Sequence, residues 1–384
     1  MLLFWISLVV LVNGIISFAY SVSVAEEPTS LWAMFATTYC VYLGITQTGI
    51  IFSTIMRIAK SKWARYFARF GEVLTLSYIP VAFITFIAIY AGGTEHLFYW
   101  AGSSASHGAA AGAHGGAPLS PWLSEDLFLW RTIISMAVFY FVSYIYFAMT
   151  LKEEREGRIY DQRLNLIAGF VMFLYVVTNT NTAWDFGMMI VQHWESTIFP
   201  AYYWVTNILV GFAFLFLVGG WYVRENTKKK ITEEYTIYMG VMLMGFVLTW
   251  VYMFWSQHIV LWYGDLPNLS MPVEKVANEY GSYYWLMLIG LFFIPFFALI
   301  FKKIKSCMVA LNALAVIMII GLWLNRYLMI VPFTVHGEGP LFFSWTGISL
   351  ILGGLAATIL PVLIFFKLFP KVTVSTYEEP GGNH

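Results

Sequence analysis

The side chains with chemistry to offer in this 384-residue chain sit where polar groups are costly. Thr178-Asn179-Thr180-Asn181-Thr182 leads to Asp185, and Thr178, Asn181 and Asp185 follow i, i+3, i+7 spacing on one helical face. Ser256-Gln257-His258 lies well inside an apolar run, with Asp265 seven residues on. Asn325-Arg326 interrupts another run, Arg131 opens a third, and Glu72 stands on the first turn of a fourth. Together with His193, these groups are proton-pathway or quinone-contact candidates: they could form a polar cavity in which Arg131 or Arg326 pairs with Asp185 and His258 exchanges protons, with Glu72 at the cytoplasmic end of a proton route. The plain alternative for each is interhelical glue or, for the arginines, snorkelling.

Such groups need helices to hold them in lipid, and the composition supplies these. Apolar residues make up 60% of the chain and charged ones 11%, with mean hydropathy +0.72. That excludes an ordinary soluble enzyme and a disordered chain. Ten runs are long enough to span: roughly 2–24, 32–56, 70–92, 127–149, 164–184, 199–223, 235–262, 281–301, 307–331 and 342–366. They are too long and too uniformly apolar for barrel strands, so the expected fold class is all-α integral membrane.

Lys and Arg set the orientation. Of 21 basic residues, 18 follow spans 2, 4, 6, 8 and 10; the others are Arg131, Lys275 and Arg326. The positive-inside rule puts that end, and both termini, in the cytoplasm. The opposite end carries acids from Glu26 to Glu338 and suits a basic partner domain or simple topogenic bias. The first run ends in Ser23-Val24-Ala25, a signal-peptide-like pattern, but has no basic n-region and reads as a retained helix.

Short loops predict two antiparallel four-helix bundles, spans 2–5 and spans 6–9, with spans 1 and 10 peripheral. The divisions are 1–31 (first helix and outer loop), 32–198 (first bundle), 199–331 (second bundle) and 332–384 (last helix and cytoplasmic tail). The Gly/Ala/His loop 93–126 reads as flexible, and His96, His107 and His114 in it match no zinc spacing. Cys40 and Cys307 lie apart, which gives no disulfide framework, haem attachment or iron–sulfur pattern. Only His258 sits firmly within a span, so no haem, metal or other cofactor of the chain's own is expected, and nothing cradles a nucleotide or nucleic acid.

Three motifs carry a family resemblance. Trp184-Asp185-Phe186-Gly187-Met188-Met189 is followed by His193-Trp194-Glu195-Ser196-Thr197-Ile198-Phe199 and Tyr202-Tyr203. Phe254-Trp255-Ser256-Gln257-His258 leads to Trp262-Tyr263-Gly264-Asp265-Leu266-Pro267. Arg57 to Thr75 includes Trp63, Arg69, Glu72 and Thr75. Over roughly residues 30–370 the chain resembles NrfD-like (polysulfide-reductase-type) membrane subunits, and most nearly the F subunit of bacterial alternative complex III. The resemblance implies a cofactor-free subunit of a quinol-oxidising respiratory complex in the bacterial inner membrane. Its partners would be a multihaem cytochrome c subunit, an iron–sulfur subunit and a paralogous NrfD-like subunit, with the haem c and the clusters in those partners. Proton conduction, quinone contact or anchoring would be its share, and Asp185, His193, Gln257, His258 and Asp265 are the positions carried over by motif. The competing readings are a secondary transporter, although Pro80, Pro295 and Pro361 do not break spans at corresponding places in two halves, and a purely structural anchor.

Overall fold

A computed structural model describes residues 2–61, 63–101, 120–156, 162–192, 194–227, 232–264, 266–335 and 341–369. Among them there are helices and no strands. Ten are long and apolar enough to cross a membrane: α1 (Leu2–Val24), α2 (Thr29–Ile58), α3 (Phe67–Leu97), α4 (Glu125–Glu156), α5 (Gln162–Ile190), α6 (Phe199–Gly220), α7 (Glu233–Gly264), α8 (Gly281–Ile300), α9 (Met308–Thr334) and α10 (Trp345–Leu368). The all-α, ten-span reading is borne out, and the chain is a multi-pass membrane protein.

The neighbours are α2 with α3 and α5, α4 with α5, α6 with α7 and α9, and α8 with α9. This pattern is consistent with two four-helix sets. The sets meet where α2 and α5 pack on α6 and where α2 packs on α9. Consequently α2 is almost wholly buried and α6 largely so, whereas α1 is mostly exposed and packs chiefly on α10.

Small residues bring the central helices close, as expected where packing rather than water drives association. Gly49 of α2 and Gly71 of α3 face each other so tightly that a Cβ on Gly49 would lie 2.3 Å from the Gly71 carbonyl oxygen. One turn on, the Thr75 hydroxyl accepts from Ile50 N–H (2.8 Å) and donates to the Thr46 carbonyl (2.7 Å). A side chain of α3 is thus bonded into the backbone ladder of α2.

Two features break regularity. Ile89–Gly93 in α3 and Ile289–Phe293 in α8 each form a π-helical turn. Between α7 and α8, where a loop is expected from the sequence, Pro267–Glu279 forms a further helix. Proline opens that helix, where a missing N–H costs nothing. It buries Pro272 and Val276, four apart, and exposes Glu274 and Glu279. Of segment 93–126, residues 102–119, with His107 and His114, lie outside the described residues. Phe98 and Trp100, in contrast, are buried and stacked 4.9 Å apart beside Phe128.

Candidate functional site: two ion-paired ends, a central seam and a cleft

The end that carries most of the lysines and arginines is termed the basic end, and the other the acidic end. At the acidic end of the first set, Arg131 of α4 pairs with Asp185 of α5. Arg131 also donates to the Trp122 carbonyl (2.6 Å) and lies over the Trp122 ring, 4.6 Å from its centroid. Thr132 donates to the other Asp185 oxygen at 3.3 Å. A carboxylate and a guanidinium, both buried, thus satisfy each other, and the Trp face lowers the cost of the cation.

The basic end of the same set holds a second pair. Arg69 donates to Glu72 at 2.7 Å and to Glu154 at 2.8 Å. Ser53 donates to the free Glu72 oxygen at 2.6 Å and meets the Tyr146 hydroxyl at 3.0 Å. Arg57 clamps Glu153 with two bonds, 2.6 and 2.9 Å. Arg69, Glu72 and Thr75 recur every three residues and so share the face of α3 turned to α2 and α4.

The two pairs are joined by one face of α4. Thr132, Met136, Tyr140, Ser143, Tyr146 and Thr150 are all buried at three- to four-residue spacing, with Arg131 next to Thr132. From Thr132 to Thr150 is about 27 Å at the α-helical rise, close to the thickness of a bilayer core. Tyr39 Oη to Met136 Sδ (3.8 Å) and Ser53 Oγ to Tyr146 Oη fix α2 against α4, so Gln47 stands level with Tyr140 and Ser143. Gln47 Nε2, Tyr140 Oη and Ser143 Oγ are buried without a well-formed hydrogen bond, with Tyr140 and Gln47 next to each other. Buried polar atoms of this kind are the usual partners of internal water.

A seam of amides crosses between the sets. Asn179 donates to Gln47 (2.9 Å), Asn207 donates to Asn179 (3.0 Å), and Arg326 donates to Asn207 (2.8 Å), to the Tyr203 carbonyl (2.9 Å) and to Asn325 (2.6 Å). Arg326 is fully buried and stacks on the Tyr203 ring, 3.7 Å from its centroid. The partners recorded for it are neutral oxygens and this π face. Arg131 and Arg69, in contrast, each hold a carboxylate.

The seam ends at a cleft in the second set. Asn325 donates to the Tyr202 hydroxyl (2.5 Å), and both line the cleft with Gln257, His258, Tyr284 and Trp194. The Pro267–Glu279 helix roofs it, pinned by a bond from the Trp194 indole to the Leu269 carbonyl (3.1 Å). Its volume is about 100 Å³, several times what one water requires. His258 Nδ1 lies 2.8 Å from the Phe254 carbonyl, which can only accept. The neutral ring therefore carries its proton on Nδ1, and Nε2 accepts from the Tyr284 hydroxyl at 2.6 Å.

The sequence-derived set thus falls into separate places. Arg131, not Arg326, is the partner of Asp185. Gln257 and His258 share the cleft, Glu72 stands at the far end, and Arg326 anchors the seam. Asn181 is half-buried and takes no part in these bonds. His193 and Asp265 lie outside the described residues. Sequence reasoning missed Gln47 and Asn207, whose signal is a lone amide within an apolar run, and it gave Asn179 no role.

The described histidines are His96 and His258. Both ring nitrogens of His258 are engaged, and His96 lies on the last turn of α3. No group of three or more potential metal ligands occurs among the described residues.

No protein-family model matches the chain. It is 22% identical over 253 residues, 63% of its length, to the "Probable Ni/Fe-hydrogenase 2 b-type cytochrome subunit" of Escherichia coli (strain K12). The match spans 62% of that relative. The chain is therefore a multi-pass membrane protein, with ten candidate spans among its described residues and distant similarity to a hydrogenase b-type cytochrome subunit.

Proposed function

We propose that the chain is a cofactor-free membrane subunit of a respiratory quinol-oxidising complex of the alternative complex III type, and that it conducts protons through its first helix set. The observation that carries this is the α4 face, which joins a buried carboxylate at one end, Asp185, to another at the opposite end, Glu72. Between them, Tyr140, Ser143 and Gln47 offer polar atoms at mid-depth without well-formed hydrogen bonds. Water there completes a relay from Asp185 to Glu72. Neither carboxylate would need to cross the bilayer; each would release and regain its proton beside a fixed arginine. The distant similarity to a subunit of a multisubunit redox enzyme agrees with this place. The orientation follows the lysines and arginines: basic end and both termini in the cytoplasm of a bacterium, acidic end outside.

The cleft favours a second contribution, contact with quinone. Aromatic walls, the Tyr284–His258 pair and the Gln257 and Asn325 amides match a flat ring bearing two oxygens. The multihaem cytochrome c subunit, iron–sulfur subunit and paralogous NrfD-like subunit would carry the electrons, with haem c and clusters in those chains. Purification from native membranes through a tag on this chain tests the assignment. Haem c absorbance and iron–sulfur signals should co-purify with quinol oxidation. An isolated chain that moves a solute across liposomes, with no redox partner, would replace the reading by a transporter.

A further inference from the structure

Four helices enclose an apolar groove at the basic end, away from the polar sites above. Leu3 of α1, Phe70 and Leu74 of α3, Phe214 of α6, and Val362 and Phe366 of α10 form its walls. Its volume is about 470 Å³. Phe70, Leu74, Phe214 and Val362 are buried, so the groove runs into the protein and is not a shallow surface dip. The hydroxyl in its wall belongs to Thr358 and donates to the Gly354 carbonyl of its own helix (3.0 Å). No polar group is thereby left to receive a headgroup inside, and an aliphatic chain is the occupant that suits the lining. With a methylene about the size of a water, about 30 Å³, the space takes roughly fifteen carbons, one acyl chain.

The mouth identifies the rest of the molecule. Leu3 is in the first turn of α1 and Phe366 near the last of α10, so the groove opens at the surface that carries most of the basic residues. Lys367 is exposed and follows the groove-lining Leu363 by four residues, on the same face of α10. A lysine at this depth suits a lipid phosphate. The groove also lies beside α1, the least buried of the ten spans. α1 is held mainly to α10, through Asn13 to Ser349 (3.2 Å), Ser21 to Thr346 (2.8 Å) and the approach of Gly14 to Gly353.

We propose that this groove binds one acyl chain of an anionic phospholipid, with the phosphate on Lys367, and that the lipid joins the α1–α10 pair to α3 and α6. This does not depend on the redox or proton role of the chain. Lipid analysis and native mass spectrometry of the detergent-purified protein test it. The wild-type chain should keep a stoichiometric phospholipid through delipidation. Leu363→Trp, which fills a half-buried wall position, should lower retention by about tenfold while the protein stays monodisperse. Ile359→Phe, one turn earlier, provides a second filler if the Trp disturbs folding. Lys367→Glu should shift the retained lipid from anionic to zwitterionic. Equal retention by the wild-type and filled variants, or a retained molecule with the mass of a prenylquinone, would overturn the proposal.

Discussion

The Arg326 guanidinium donates to the Asn207 carboxamide at 2.8 Å, and the same amide donates onward to Asn179 at 3.0 Å. Asn207 is therefore the joint through which a buried cation of α9 is tied to the first helix set. It also has no room to grow, because Gly44 of α2 lies against it. Replacing Asn207 by Ala leaves a charged donor short of one acceptor, which costs about 1.5–3 kcal/mol. Thermal unfolding in detergent should show a clear loss of stability. Asn207→Asp supplies a carboxylate to Arg326 and should be tolerated better than the Ala variant.

Thr75 makes a different kind of link, bonding a hydroxyl of α3 into the ladder of α2. Thr75→Val keeps the shape and removes both bonds. A loss of about 1–3 kcal/mol is expected, with faster amide exchange at Ile50 as the local signature. Gly49→Ala should be worse, since its Cβ would meet backbone rather than a movable side chain.

Arg131 and Asp185 act as a unit. Removing Arg131 alone leaves an uncompensated buried carboxylate, at a cost of about 3–5 kcal/mol. Arg131→Met with Asp185→Asn should cost less than the sum of the two single changes. A double-mutant cycle on unfolding in detergent measures that difference, and strict additivity would mean the pair is not coupled.

Tyr284→Phe removes the donor to His258 Nε2 while leaving the ring and the cleft walls. Turnover with added quinol in the intact complex should fall, whereas assembly and proton permeability through the first set should stay as in the wild type. A change in permeability with unchanged turnover would separate the cleft from quinone chemistry.

Much of this fold is legible in the sequence, for physical reasons that differ by element. Uninterrupted apolar runs define the spans, and the clustering of lysine and arginine defines the two ends. Arg131 and Asp185 announce themselves because ionised groups in apolar runs demand a partner. The amides do not. Gln47, Asn179 and Asn207 are neutral and ordinary in membrane helices, so nothing local says which of them meet. Asn181 shows how far spacing reaches. At 100° per residue the buried face of α5, from Asp185 through Thr178, Thr182 and Asn179 to Ala183, is centred about 120° from Asn181. The buried face is wide because α5 packs on α4, α2 and α6 at once, and a two-sided face cannot be located from three polar positions. The π-turns leave no pattern, since the packing of neighbours sets them, and the helix roofing the cleft leaves only a short one, a proline at its start with Pro272 and Val276 four apart.

Proton transfer across the first helix set, between Asp185 and Glu72, is the step on which the proposed function rests. Its most direct test is proton movement per electron by the complex reconstituted in liposomes, comparing the wild type with Glu72→Gln and with the mid-depth pair Tyr140→Phe and Ser143→Ala. Assembly and quinol oxidation under uncoupled conditions should stay intact, with proton movement reduced about tenfold or more in both variants. Wild-type proton movement in both would contradict it.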